Sequence, residues 1–340
     1  MTRAEVDRLI AEQGIVKTGG QRGVAAILYT YRCTIACRHC CFGCAGQRPD
    51  VRMDIAKCVD FLGDLHQLGR VIHIAGGEAM LYWDDLRDVL RLSAARGVQP
   101  HFIESNASFA TSDEIVRERL RVLQDCGVAG ILLSTDPYHQ AFVPPESFIR
   151  ARRIAREVFG EANVWASNCS DEEVREHAAI ARDEARLRDY VRAHPPTLVG
   201  TAHRFCEFLP SYTLAELPVG RVWRFPHTGR DCAIEFDREK IWEVHIDPYD
   251  NMQTNCGIIL GNASETRVTE MIARGPADAN FVTRLVALDG PFALAEFARQ
   301  KHGFVVPERA CSKCDLCYTV RRFLRPFYPD LLGPAEVYGD

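Results

Sequence analysis

Residues 31–45 read YRCTIACRHCCFGCA and place five cysteines within twelve positions. Thiolates are soft ligands suited to zinc or iron–sulfur clusters. Three of the five are spaced Cys33-x3-Cys37-x2-Cys40. Structural zinc wants four protein ligands, commonly in two knuckles with x2 spacing. Three thiolates at three-then-two spacing suit a cubane of four irons instead, one iron being left without a protein ligand and open to a substrate or cofactor. Cys41 and Cys44 are surplus to that set and read as small residues packing the loop, while His39 either donates to a cluster sulfide or faces solvent.

A second group follows near the C-terminus: Cys232, Cys256, Cys311, Cys314 and Cys317. It can supply a four-cysteine zinc site or one further cubane. Fourteen cysteines in a chain of 340 residues would be a disulfide framework only in an oxidising compartment, and the N-terminus, MTRAEVDRLIAEQ, reads as a charged amphipathic helix with Val6, Ile10 and Ala11 on one face. It lacks the apolar core of a secretory signal, and no apolar run is long enough to span a membrane. The expected location is therefore the cytosol, where clustered cysteines are metal ligands. A net charge of −5 without a cluster of Lys and Arg argues against nucleic acid as a partner.

The elements that must carry these cysteines alternate. Candidate strands are 24–30, 71–75, 99–103, 130–134, 163–167 and 197–201, and between them lie helical patterns such as Ile55, Val59, Leu62 and Leu65, with capping boxes expected at Thr111/Glu114 and Ser170/Glu173. Six strands alternating with helices predict an α/β fold, a parallel sheet with right-handed crossovers, open or rolled into a partial (β/α)6 barrel, whose ligands gather at the carboxyl ends of the strands. From Val222 the texture changes: 232–256 reads as two strand-like runs, a turn at DPYDN and a third run, followed by a helical stretch over 265–300. The implied domains are an N-terminal helix at 1–23, a barrel at 24–215 and a small α+β metal-binding unit at 222–340.

Cys33-x3-Cys37-x2-Cys40 after the first strand resembles the signature of the radical S-adenosylmethionine (SAM) enzymes. Gly76-Gly77-Glu78 after the second strand resembles that family's GGE motif, Ser105 and Asn106 after the third stand where it often has a Thr-Asn-Gly-like turn, and Ser134-Thr135-Asp136 after the fourth is similar to its S-x-D. The resemblance implies a [4Fe-4S] cluster on the three cysteines, SAM chelating the open iron, and a 5′-deoxyadenosyl radical that takes a hydrogen atom from the substrate. It also implies SAM contacts from Gly76, Gly77, Glu78, Ser105, Asn106, Ser134 and Asp136, and a reducing partner such as flavodoxin or ferredoxin. The C-terminal cysteines resemble the SPASM/twitch extension, which implies one auxiliary [4Fe-4S] cluster, expected on Cys232, Cys256, Cys311 and Cys314 with Cys317 as the surplus thiol.

Candidate catalytic residues are Tyr138 and His139, beyond the fourth strand, and the surplus Cys317. Cys169 and Cys206 lie on the mouth side, where a thiol can donate a hydrogen atom, but read first as packing residues; Arg204 either reaches an anionic group of SAM or substrate or is solvated, and Cys58 and Cys126 read as core. The family resemblance implies maturation of a ribosomally made peptide, with dehydrogenation or rearrangement of a small metabolite as the alternative and a non-catalytic iron–sulfur or zinc scaffold as the third reading. The segment before Val24 is shorter than a winged-helix-like leader-binding module, so a leader-binding role is expected to need another surface or protein.

Overall fold

A computed structural model describes residues 2–217, 232–239 and 241–339. The chain forms two compact units, the first made of 1–37, 44–184 and 245–250, the second of 38–43, 185–244 and 251–340. The expected domain start at Val222 lies outside the described residues.

In the first unit, helix α1 (Arg3–Arg22) precedes β1 (Val24–Leu28), and β2 (Val71–Ala75), β3 (Phe102–Ser105), β4 (Gly130–Leu133) and β5 (Val164–Ala166) follow. Between them run α2 (Ile55–His66), α3 (Trp83–Ala95), α4 (Asp113–Asp125), α5 (Pro137–Gln140) and α6 (Pro145–Phe159), with α7 (Asp171–Ala181) after β5. The strands pair in parallel in the order β5-β4-β3-β2-β1, and His245 and Ile246, which belong to this unit, lie beside β1. β1 and β2 are VAAIL and VIHIA, buried throughout, the near-continuous apolar run of strands covered on both faces. Register sorts the side chains: Ile27, Ile74, Ile103 and Ile131 share one face, and Ala26, His73, Phe102 and Gly130 share the other. α1 closes part of that second face, where Gly19 packs against Trp165 and Ile15 lies over Gly130. Val6 and Ile10 are buried as the pattern predicts, whereas Ala11 is exposed and the helix runs on past a kink at Gly14.

Two local expectations shift. The cap of α4 is Ser112, which accepts from Ile115 N, instead of Thr111, while the Ser170/Glu173 box forms as read. The expected sixth strand at 197–201 does not form; residues 200–208 are a 3-10 helix. Pro195 and Pro196 lack ladder donors, and the backbone beyond them is engaged elsewhere: Thr201 N and Oγ1 both donate to Cys40 O, at 2.9 and 3.1 Å. Gly200, at φ +58, lies against the same segment, and a Cβ there would stand 2.3 Å from Cys41 O. The fold is α/β, and among the described residues the parallel strands number five where six were expected.

The second unit takes α8 (Glu184–Ala193) from its second residue, then β6 (Tyr212–Thr213), α9 (Cys232–Glu235) and the start of β7 (Glu243–Ile246). It continues through β8 (Asn251–Thr254), β9 (Ile259–Asn262), α10 (Val268–Arg274), α11 (Phe281–Asp289), α12 (Pro291–His302), β10 (Arg309–Ala310) and α13 (Lys313–Leu324). β8 pairs antiparallel with β9, and β10 with β6. The first strand-like run expected after Cys232 is a helical turn, and the helix expected over 265–300 is cut at Gly275-Pro276 and Gly290-Pro291, where proline ends one helix and opens the next.

Candidate functional site

Glu78 organises the carboxyl ends of β2 and β3. It is 2% exposed. Its Oε1 accepts from Met80 N at 3.1 Å and Ser105 Oγ at 2.9 Å, and its Oε2 accepts from Asn106 N at 2.8 Å. Burial pushes its carboxyl up to about 7 in spite of these donors. Asn106 Nδ2 donates in turn to Thr34 Oγ1 at 3.0 Å and reaches Cys33 Sγ at 3.5 Å, while the Cys33 thiol donates to Gly77 O at 3.0 Å. Gly77 has to be glycine, because a Cβ there would stand 1.9 Å from Arg32 O. Ser134 N donates to Ser105 O, which brings the end of β4 to the same place. Thus Cys33, Gly77, Glu78, Ser105, Asn106 and Ser134, separate in sequence, form one connected set, and Glu78 braces it from below with both oxygens engaged.

Asp136 caps α5, accepting from Tyr138 N and His139 N at 2.8 and 2.9 Å, and its Oδ2 lies 2.9 Å from His139 Nδ1. The ligand atoms of His139 and Cys37 lie within 4.8 Å of each other. Burial lowers the basicity of His139, but Asp136 and then Cys37 outweigh it, so the imidazole is held well above its usual value. His139 therefore faces the sulfur of an expected cluster ligand, and Tyr138 is 5% exposed beside it. Cys33 and Cys37 are buried in the first unit, and Cys40 belongs to the second.

Sequence reading passed over a polar group on the second face of the sheet. His73 is 1% exposed and stacks on Phe102 at 4.4 Å between centroids. Its Nε2 stands 3.6 Å from Glu104 Oε2, and His245 lies edge-on to it at 6.3 Å. A histidine inside an otherwise apolar strand, three residues ahead of the first GGE glycine, was the available signal.

In the second unit, Cys232, Cys256, Cys314 and Cys317 line one cavity with Lys313 and Arg321, its empty volume about 550 Å³ with the mouth included. The Cys314 thiol is pushed up by burial and then by Cys232, Cys317 and Cys256, a mark of four thiols close together. Arg321 is fully buried; its Nη1 donates to Cys256 O at 2.8 Å. Burial alone would lower its basicity, but Tyr338, Cys317 and Cys256 raise it further. A buried guanidinium needs compensating negative charge, and thiolates holding a metal cluster would supply it. These residues fit an iron–sulfur cluster. Cys311, expected as a ligand with Cys317 spare, is set apart. Ser312 caps α13, so Cys314 and Cys317 stand three residues apart on one helical face, while Cys311 precedes the cap.

Cys311 lies instead with Cys206, whose thiol is raised by a hydrogen bond to Cys311, then by burial and Asp315. Of the remaining candidates, Cys58 and Cys126 are buried on or beside helices as read, and the carbonyl of Cys169 accepts from Arg152. No helix among the described residues is long and apolar enough to cross a membrane.

Residues 27–159 match the family model described as Radical SAM superfamily, a span that holds the whole Cys33-centred set. No curated protein matches the chain. Among solved structures it is similar to one titled "Crystal structure of BtrN in complex with AdoMet and 2-DOIA", at 12% identity and a TM-score of 0.43, over 87% of this chain and 90% of that one. Residues 27–159 are a radical SAM domain, the kind of domain that works with a [4Fe-4S] cluster and SAM.

Proposed function

We propose that the protein is a radical SAM oxidoreductase acting on a small metabolite that bears hydroxyl or amino groups. The cluster on Cys33, Cys37 and Cys40, with SAM, would supply the 5′-deoxyadenosyl radical, and an auxiliary [4Fe-4S] cluster on Cys232, Cys256, Cys314 and Cys317 would supply one-electron transfer, with a flavodoxin- or ferredoxin-like protein as the reductant.

The observation that carries the substrate class is the His73–Glu104 pair, 3.6 Å apart and sharing a sheet face, with His245 beside it. A buried imidazole beside a carboxylate binds and orients a hydroxyl or amine and takes up its proton as the neighbouring carbon is oxidised. Glu78, Ser105 and Asn106 hold the GGE turn and the end of β3 in register for SAM, Gly77 lets backbone approach it, and His139 donates toward Cys37.

Reduced protein should form 5′-deoxyadenosine from SAM. Given a panel of carbon-deuterated polyols and amino polyols, it should carry deuterium from one of them into 5′-deoxyadenosine, and His73→Ala should abolish that transfer while SAM still binds. Transfer from a ribosomally made peptide, with none from the small-molecule panel, would replace this reading with peptide maturation.

A further inference from the structure

We infer that the second unit holds a zinc ion on His203, Cys206, Asp315 and Cys311, separate from the four-cysteine cavity. The ligand atoms of His203, Cys206 and Asp315 all lie within 4.8 Å of one another, and His203 Nε2 stands 2.7 Å from Asp315 Oδ1. Cys311 lies outside that group of three but hydrogen-bonds both Cys206 and Asp315, which puts its thiol in reach as the fourth donor.

The backbone presents these donors for local reasons. His203 and Cys206 are three residues apart on the 3-10 helix at 200–208, where positions i and i+3 eclipse, so both project from one edge. Asp315 lies in the first turn of α13, its backbone N bonded to the Ser312 cap at 3.1 Å. Its Oδ2 is held by Cys311 N at 2.8 Å, which leaves Oδ1 turned toward His203. Thr319 Oγ1, one turn further along α13, lies 3.2 Å from His203 Nε2, beside the ring atom that would meet the ion.

The donor set selects the metal. Two thiols, one imidazole and one carboxylate make a four-donor, mixed soft and borderline shell, which suits tetrahedral zinc and does not suit magnesium or calcium. Cys311 is 1% exposed, whereas the His203 and Asp315 side chains are 28% and 15% exposed and Cys206 is half-buried, so the four donors sit at the border between the unit's interior and its surface. The ion's place in the fold gives it a task. The same 3-10 helix holds Cys40 O through Thr201, and α13 carries Cys314 and Cys317 two turns or less from Asp315. Zinc here pins the segment that grips the first cysteine loop to the helix that bears two cysteines of the cavity.

The test uses the iron-loaded protein, purified without air from cells grown with zinc. Metal analysis should find about one zinc per chain beside the iron, and absorption spectroscopy at the zinc edge should find two sulfurs at about 2.3 Å and two lighter donors at about 2.0–2.2 Å. Cys206→Ser should lose most of the zinc and keep its iron. His203→Cys, which preserves a donor, should keep the zinc and raise its sulfur count to three, a change no merely structural role predicts. Absence of zinc from the holoprotein, zinc ringed by four sulfurs, iron lost in step with zinc in Cys206→Ser, or a Cys206–Cys311 disulfide would each overturn the assignment.

Discussion

The two thiol groups keep different company. In the first unit Cys37 faces His139, an imidazole locked to Asp136 at 2.9 Å. In the second unit Cys256 and Cys317 face Arg321, a guanidinium with no exposure at all. An imidazole exchanges protons and can be reoriented by its carboxylate, whereas a guanidinium is charged at every pH a protein survives. The first group thus lies beside a titratable donor, and the second around a permanent counter-charge inside a core. In the function proposed above, a cluster that binds and cleaves a cofactor would suit the former, and one that only holds and passes an electron would suit the latter.

The largest expected effect separates the two groups outright. Replacing Cys33, Cys37 and Cys40 together by Ala should abolish 5′-deoxyadenosine formation and leave about half of the roughly eight irons that two cubanes contain. Replacing Cys314 and Cys317 should remove the other half and lower the melting temperature, since metal binding contributes directly to folding. Iron analysis with thermal melting decides it. If either set of changes empties both sites, the comparison between independent centres collapses.

Next comes Glu78. Glu78→Ala strands Ser105 Oγ, Asn106 N and Met80 N in a buried place, and should cost about 3 kcal/mol in denaturant unfolding, at about 1–3 kcal/mol for each group left without a partner. SAM affinity, followed by calorimetry, should fall by about one to two decades. A loss of stability with unchanged affinity would leave Glu78 a brace alone. The carboxyl also predicts a pH slope for the protein without SAM. Its folded value of about 7 exceeds the ordinary 4.5, so the folded state holds a proton that the unfolded chain has lost. That contribution to stability is complete below pH 4.5 and is lost as pH rises toward 7, by up to about 3 kcal/mol at 1.36 kcal/mol per unit. Glu78→Gln should flatten the slope, and a slope unchanged by it would assign the titration elsewhere.

A smaller effect probes the cations themselves. Arg321→Gln removes a positive charge beside Cys256 and Cys317 and should make that centre harder to reduce, by on the order of 60 mV, the one-electron equivalent of about 1.4 kcal/mol. His139→Gln keeps a donor near Cys37 and should move the other centre less. Redox titration followed by electron paramagnetic resonance measures both. The reverse ranking would mean that the buried charge is compensated by something other than the thiolates.

How far these centres were legible follows from how each is assembled. Cys33, Cys37 and Cys40 occupy one loop, so their spacing in sequence carries the signature directly, and the glycines, Glu78, Ser105 and Asn106 stand at strand ends that apolar runs announce. The cavity of the second unit gathers α9, the residues after β8 and α13, and nothing in the sequence tells which of three cysteines at 311, 314 and 317 turns inward until the helix start is known. Ser312 settles that by capping α13. The failed strand at 197–201 has a similar origin: its apolar pattern is real, but the backbone N and the hydroxyl of Thr201 both go to the Cys40 carbonyl, a long-range partner that no periodicity records. His73 was passed over because a single polar residue in a buried strand gives no period at all.

The smallest expected effect is the sharpest on ligand choice. Cys311 sits before the cap of α13 against Cys206 and Asp315, and Cys317 sits one turn into the helix beside Arg321 and Cys314. Both thiols are buried, at 1% and 7% exposure, so burial does not discriminate between them. Geometry does, since the cavity wall includes Cys317 and omits Cys311. Cys311→Ala should therefore leave the iron content at its full value, whereas Cys317→Ala should lose a large share of the auxiliary iron. The comparison between the variants removes the common cost of truncating a buried cysteine. Equal iron in the two, or greater loss from Cys311→Ala, would restore Cys311 to the ligand set and would require α13 to begin earlier than the Ser312 cap allows.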